Sequence, residues 1–292
     1  MPRTDPTLIS RISKKHRDVV HTIYEHRGGN LSRDEFFRRN KEEWMTEPGL
    51  IGNTTQYVPS LSNIKSLYPC TDEEAEAMVV ASIYNLNLPD RGVARRIVTD
   101  DPDELESALS LSARLDWLHS CNPSWQSGQS YPDIWFALRG LAAGDIDVAR
   151  AIFRARCHDS KGGHKPTVLI YDAVEAIVMK DREAQASIAP RIAKCNMSDW
   201  FRAVLETLQG VIEADSSVVA AGLERVLATF RRQQDPFDYE MIISLHAHAL
   251  AELAYWVSPK LLAAFEVDRA LPWDRAYYRW LRRKPRSTSY RD

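Results

Sequence analysis

Residues 134–153 read "IWFALRGLAAGDIDVARAIF", and this stretch decides the fold. Apolar residues recur at three- and four-residue spacing on both sides of Gly144-Asp145, the period of an amphipathic helix. Asp is a favoured helix N-cap, because its carboxylate accepts from the free amides of the first turn. The spacing therefore predicts two short helices hinged at Gly144-Asp145. The same order of helix, small residue, Asp and helix returns in "AIVMKDREAQASIA" (176–189) and "GVIEADSSVVAAGL" (210–223). The three candidate caps, Asp145, Asp181 and Asp215, lie 36 and 34 residues apart, close to the period of about 34 of tetratricopeptide helical pairs.

The expectation is an all-α fold of stacked antiparallel helical hairpins, a degenerate tetratricopeptide-like α-repeat. It runs over about 131–232, with a fourth, looser pair over 237–268. The tetratricopeptide consensus itself is absent, so chance spacing is the competing explanation. Pro190 falls inside the second pair and is expected to kink or restart that helix, since proline removes a backbone donor. The β-rich "TVLIYD" (167–172) runs on into "AVEAIVM" without a break, which favours helix over strand.

Helical patterns extend beyond the repeats. Thr71 with Glu74 makes a capping box ahead of a stripe of Ala75, Met78, Val79, Ile83 and Leu86. From Asp103, an acidic first turn precedes Leu105, Ala108, Leu109, Leu115 and Leu118 on one face. Phe201, Val204, Leu205, Leu208, Val211 and Ile212 hold the cleanest helical spacing in the chain. Residues 1–46 read as two amphipathic helices, and 47–69 as a long loop. The organisation is then 1–68, N-terminal helices and loop, and 69–292, the repeat-like domain, forming one continuous unit.

Composition narrows the function classes. With 38 basic and 40 acidic residues, the net charge of −2 gives no global attraction to nucleic acid or anionic lipid. The four cysteines, Cys70, Cys121, Cys157 and Cys195, show neither a C-x-x-C pair nor finger spacing, and read as reduced thiols. No apolar run has the length of a signal peptide or a transmembrane span, so a cytoplasmic location is expected.

Catalytic signatures are missing: no G-x-G-x-x-G, no phosphate loop, no G-x-S-x-G and no H-E-x-x-H occurs. No catalytic, cofactor-binding or metal-ligating residue is assigned, and no enzymatic activity is expected. "HDSKGGHK" (158–165) lacks the strand-then-helix frame of a phosphate cradle and reads as a surface loop. His246 and His248, two apart on a helix, diverge by about 200° and cannot share a metal. His246 falls among Leu245, Ala249 and Leu253 and is expected to be partly buried.

Charge is unevenly spread. Residues 70–110 hold ten acids against three arginines, either as solvated helix starts or as a docking face for a cationic partner. The C-terminal "RAYYRWLRRKPRSTSYRD" (275–292) holds seven bases against one acid. Its aromatic and basic residues interleave as in nucleic-acid grooves, or else its aromatics pack while its bases stay in water. The longer loops at 121–130 and 157–166 are expected to share one edge of the stack, carrying Trp125 in the first and His158 and His164 in the second. Candidate partner-binding residues are therefore Asp72, Glu73, Glu76, Asp100, Asp101, Asp103, Glu104, Trp125, His158 and His164.

The central "DIWFALRGLAAGDIDVARAIF" (133–153) and the late "SLHAHALAELAYWVSPKLLAAFEVDRALPWDRAYYRWL" (244–281) together resemble the immunity protein 49 family. The resemblance spans about 70–282 and carries over no site residue. It implies a protein that binds and neutralises a cognate antibacterial toxin domain, many such toxins being nucleases, by occluding the active site. The partner would be that toxin, with no direct nucleic-acid or membrane contact. Two other classes stay open: a helical-repeat adaptor or chaperone for a peptide or protein, and an enzyme with an unrecognised site.

Overall fold

A computed structural model describes residues 88–120, 132–155, 165–233, 243–267 and 272–284, with isolated positions between 31 and 76. Its continuous stretches form α1 (Leu88–Thr99), α2 (Pro102–Ser120), α3 (Pro132–Ala142), α4 (Ile146–Ala155) and α5 (Lys165–Val178). These are followed by α6 (Arg182–Ala193), α7 (Asp199–Glu213), α8 (Ser216–Gln233), α9 (Leu245–Val257) and α10 (Arg275–Leu281), with a 3₁₀ turn at Pro259–Leu262. No strand occurs among the described residues, so the fold is all-helical, and "TVLIYD" lies inside α5.

The three Asp turns share one construction. The residue before each Asp is left-handed: Gly144 at φ 76°, Lys180 at 59° and Ala214 at 57°. The Asp amide reaches back five residues, to the carbonyls of Gly140, Ala176 and Gly210, at 2.8–2.9 Å. The left-handed residue bonds the carbonyl three before it, completing a Schellman motif that closes the outgoing helix. The Asp carboxylate then opens the next helix, accepting from the amides of Val148, Ala184 and Val218 at 3.0–3.2 Å. One residue thus ends one helix and starts another, which is why the connections are so short. Asp215 also accepts from the Ser217 hydroxyl; this bond, then the amides of Val218 and Ser217, hold its pKa below the ordinary value. The α1–α2 turn follows suit, with Asp100 left-handed and Asp101 capping the amide of Asp103.

Packing follows the sequence in pairs: α1 on α2, α3 on α4, α5 on α6, α7 on α8. The predicted stripes are inside, with Leu105, Ala108, Leu109 and Leu115 buried on α2 and Val204, Leu205, Leu208 and Val211 buried on α7. α7 and α8 approach closely at Gly222, where a Cβ would lie 3.0 Å from the Thr207 backbone.

α9 departs from a simple stack. Every residue from Ala247 to Ala254 is buried, and a helix apolar all round belongs in a core. It packs along α3, more than a hundred residues earlier, and touches α7 and α8 as well. In an open solenoid each repeat touches only its neighbours; here the late helix returns to the middle of the chain. Leu245, Leu250 and Leu253 are at most 4% exposed, each contributing about 2 kcal/mol of burial.

Three expectations are corrected. Pro190 does not restart its helix: α6 continues to Ala193. The proline removes one bond to the carbonyl of Ala186, an exposed residue. The fourth pair lacks a second α-helix within the described residues, because Pro259 initiates a 3₁₀ turn instead. Ser62 and Lys65, inside the stretch read as a loop, are helical. The proposed helices before residue 31, and positions 77–87 of the capping-box helix, lie outside the described residues.

The close approach at Gly222 makes a prediction. Alanine would gain up to about 1 kcal/mol of helix propensity, but its Cβ meets a fully buried Thr207 and the fixed α7 backbone. Overpacking wins, so Gly222→Ala lowers stability by about 2 kcal/mol in urea unfolding. A neutral or stabilised variant contradicts the packing.

Candidate functional site

The acidic segment divides into committed and available carboxylates. Glu104 is held between Arg91 and Arg95, each at 3.1 Å and each nearly buried. Arg91 also donates to the Leu31 carbonyl at 3.1 Å and lies 4.6 Å over the Phe36 ring. Glu104 therefore helps fasten the N-terminal region to α1. Asp100 pairs with Arg96 one turn back, and Asp101 caps α2. Asp103 is exposed, with Lys284 at 3.4 Å. Asp72 and Glu73 are exposed, Asp72 pairing with Lys65, while Glu76 is half-buried. Trp125, His158 and His164 lie outside the described residues, as do Cys70, Cys121 and Cys157.

The C-terminal segment answers much of that acid. Asp274 is fully buried and caps α10 by accepting from Ala276 and Tyr277 at 3.0 Å. Arg96, 1% exposed, approaches the same carboxylate to 2.7 Å. Two turns on, Arg282 meets Glu252 of α9 at 2.7 Å. Its guanidinium also lies 3.5 Å from the Tyr255 ring centroid and 4.3 Å from that of Tyr278. Lys284 reaches Glu106 at 2.8 Å. The Tyr277 hydroxyl donates to the Ala142 carbonyl at 3.0 Å, and Leu281 covers Gly144. Segment 272–284 is thus a strap, tied to α1, α2, the α3–α4 turn and α9. The aromatics of α10 do pack, but Arg282 and Lys284 are paired with protein rather than left to water.

Beneath the strap lies His248, 1% exposed. Its ring is 4.0 Å from Trp273 and stacked 5.6 Å from Tyr277, and neither ring nitrogen has a hydrogen-bond partner among the described residues. Burial, then the Arg282 charge, pushes its pKa down to about 3, so it is neutral. Burial raises the Tyr277 hydroxyl well above its ordinary value, reinforced by Glu106, Glu252 and Asp274. Burial also raises Tyr278, against the opposing Arg282. His246 is half-buried against Trp200 at 5.3 Å, as its spacing predicted. Sequence reasoning missed His248, Glu252, Asp274 and Arg96. The available signal was complementarity, since the acidic and basic excesses pair in part with each other.

A second feature is a groove of ≈ 560 Å³ between α4, α5 and α6, with Phe153 and Ile188 in its lining and Arg154, Glu175 and Met179 among its other side chains. Arg191 and Asp172 pair across it at 2.5 Å. Among the described residues no three His, Cys, Asp or Glu side chains are placed to hold a metal ion. No helix among them is long and apolar enough to cross a membrane. No family model, curated protein or solved structure matches the chain.

Removing one partner of a buried ion pair leaves an uncompensated charge, whereas replacing both by apolar groups is often neutral. Arg282→Met is expected to cost about 3 kcal/mol, and Arg282→Met with Glu252→Leu to recover most of it. A urea-denaturation double-mutant cycle measures both, and equal losses in the single and double variants contradict the pairing.

Proposed function

We propose that the chain is a binding protein that neutralises an antibacterial toxin, as the immunity protein 49 family does, by covering the toxin's active site without chemistry of its own. The observation that carries this reading is the pair of stretches on which the resemblance rests. They supply α3 and α4, which pair, α9, which packs along α3, and α10, tied to α3 through Tyr277 and, with Arg282 at its end, to α9. The likeness thus falls on one joined scaffold rather than on scattered segments. On this reading the protein works in the cytoplasm, and its partner is a folded toxin domain with a basic, nucleic-acid-binding cleft. The exposed acids Asp72, Glu73 and Asp103 face that cleft. Glu104 and Asp100, spent on internal ion pairs, contribute little.

The test is co-expression with the product of the adjacent upstream gene, scored by growth and co-purification. Toxicity relieved only in a stable complex supports the reading; a harmless neighbour that does not co-purify ends it. With that complex in hand, changing Asp72, Glu73 and Asp103 together to Lys is expected to weaken affinity more than tenfold while helix content stays unchanged. Unaltered affinity removes the charge-docking face and leaves the antagonist reading to another surface.

The groove between α4, α5 and α6 favours a second reading, an adaptor or chaperone for extended segments. Its mark is roughly micromolar binding of short peptides, weakened by Arg154→Glu. A toxin antagonist instead requires the folded partner.

A further inference from the structure

We propose that segment 272–284 is an acid-released latch, with His248 as the group that senses the proton. The proposal concerns a switch within this chain and does not depend on the antagonist reading.

The geometry carries it. His248 projects from the most buried helix into a lid made by Trp273 and Tyr277 of the strap. Among the described residues no hydrogen-bond acceptor meets either ring nitrogen, so a proton added there gains no partner from them in the closed state. The surrounding charged and titratable groups come from several elements. Glu252 lies one turn along α9. Asp274, Tyr277, Tyr278 and Arg282 lie on the strap, and Arg96 of α1 and Glu106 of α2 lie behind it. α3 presents Ala137, Leu138, Leu141 and Ala142 to the core, while its Arg139 donates to Ser112 of α2. On α7 and α8, Glu206 and Arg225 pair with each other at the surface.

Glu252, one turn along α9, is already occupied by Arg282 at 2.7 Å, and Asp274 is held by Arg96 at 2.7 Å. Protonated His248 would therefore face a cation with no free carboxylate to answer it. Opening the strap relieves this in one motion, because the lid and Arg282 belong to the same thirteen residues, 272–284.

The sign follows from burial. The closed-state pKa is about 3, against an ordinary 6.5. A group depressed on closing supports the closed state fully above its ordinary value and withdraws that support as pH falls. Below about 6.5, each pH unit therefore favours the open strap roughly tenfold, until the closed-state value is reached. The turns at Asp145, Asp181 and Asp215 close on their own backbone bonds and Asp caps, so the helices they join can keep their form while the strap opens.

Hydrogen exchange followed by mass spectrometry between pH 7 and 4.5, corrected for intrinsic rates, tests the latch on the full chain. The expected result is a tenfold loss of protection per pH unit in 275–284, with 204–211 of α7 unaffected. In His248→Phe, which fills the same space without titrating, the slope should fall by one proton. An unchanged slope in that variant, or parallel loss in α7, overturns the proposal. Should His248→Phe fail to fold, an NMR titration of the wild-type imidazole decides. No titration above pH 5 while the strap is closed supports the latch; titration near 6.5 in the closed state sinks it.

Discussion

A carboxylate in the middle of the most buried helix is the constraint on which the rest of the structure depends. Glu252 is 4% exposed, in the stretch of α9 from Ala247 to Ala254 that is buried on every side. Stranding a charge at that depth costs several kcal/mol, so the fold must deliver a cation to it. Arg282 arrives from the far end of the chain, and its delivery fixes the course of everything between. The chain leaves α9 through a 3₁₀ turn, doubles back so that the Pro272 carbonyl accepts from Ser244, and lays α10 across the α3–α4 turn. The Arg96–Asp274 pair and the Tyr277 hydroxyl on Ala142 hold that course in place.

The repeat-like half obeys a different, local logic. At Gly144-Asp145, Lys180-Asp181 and Ala214-Asp215 the backbone turn and the cap together span only nine residues. Each hairpin is therefore legible in a short stretch of sequence. The apolar stripes of α2 and α7 are legible for the same reason, since three- and four-residue spacing maps onto one face. α9 is not. Its alanines and leucines surround the helix, so periodicity sets His246 on the apolar side and gives no sign that His248 is the more deeply buried.

Long-range pairing is equally silent in the sequence. Glu104 and Lys284 each belong to a visible charge excess, yet nothing local says that one holds Arg91 and the other reaches α2. Pro190 misleads for a physical reason, because its missing donor falls on the exposed side of α6 and only a few residues of the helix remain. The candidate contact residues form the least legible class. Partner recognition requires exposed side chains in an arrangement set by the partner, and exposed acids at helix starts satisfy dipoles equally well.

α9 is thus a hub rather than the end of a stack, and native-state hydrogen exchange in low denaturant measures this most directly. If the hub holds, amides of 247–254 exchange only through global unfolding, together with those of α3. If instead α9 opens well before the α7–α8 hairpin, with α3 remaining protected, the molecule is an open series of hairpins and Glu252 is not the residue that organises it.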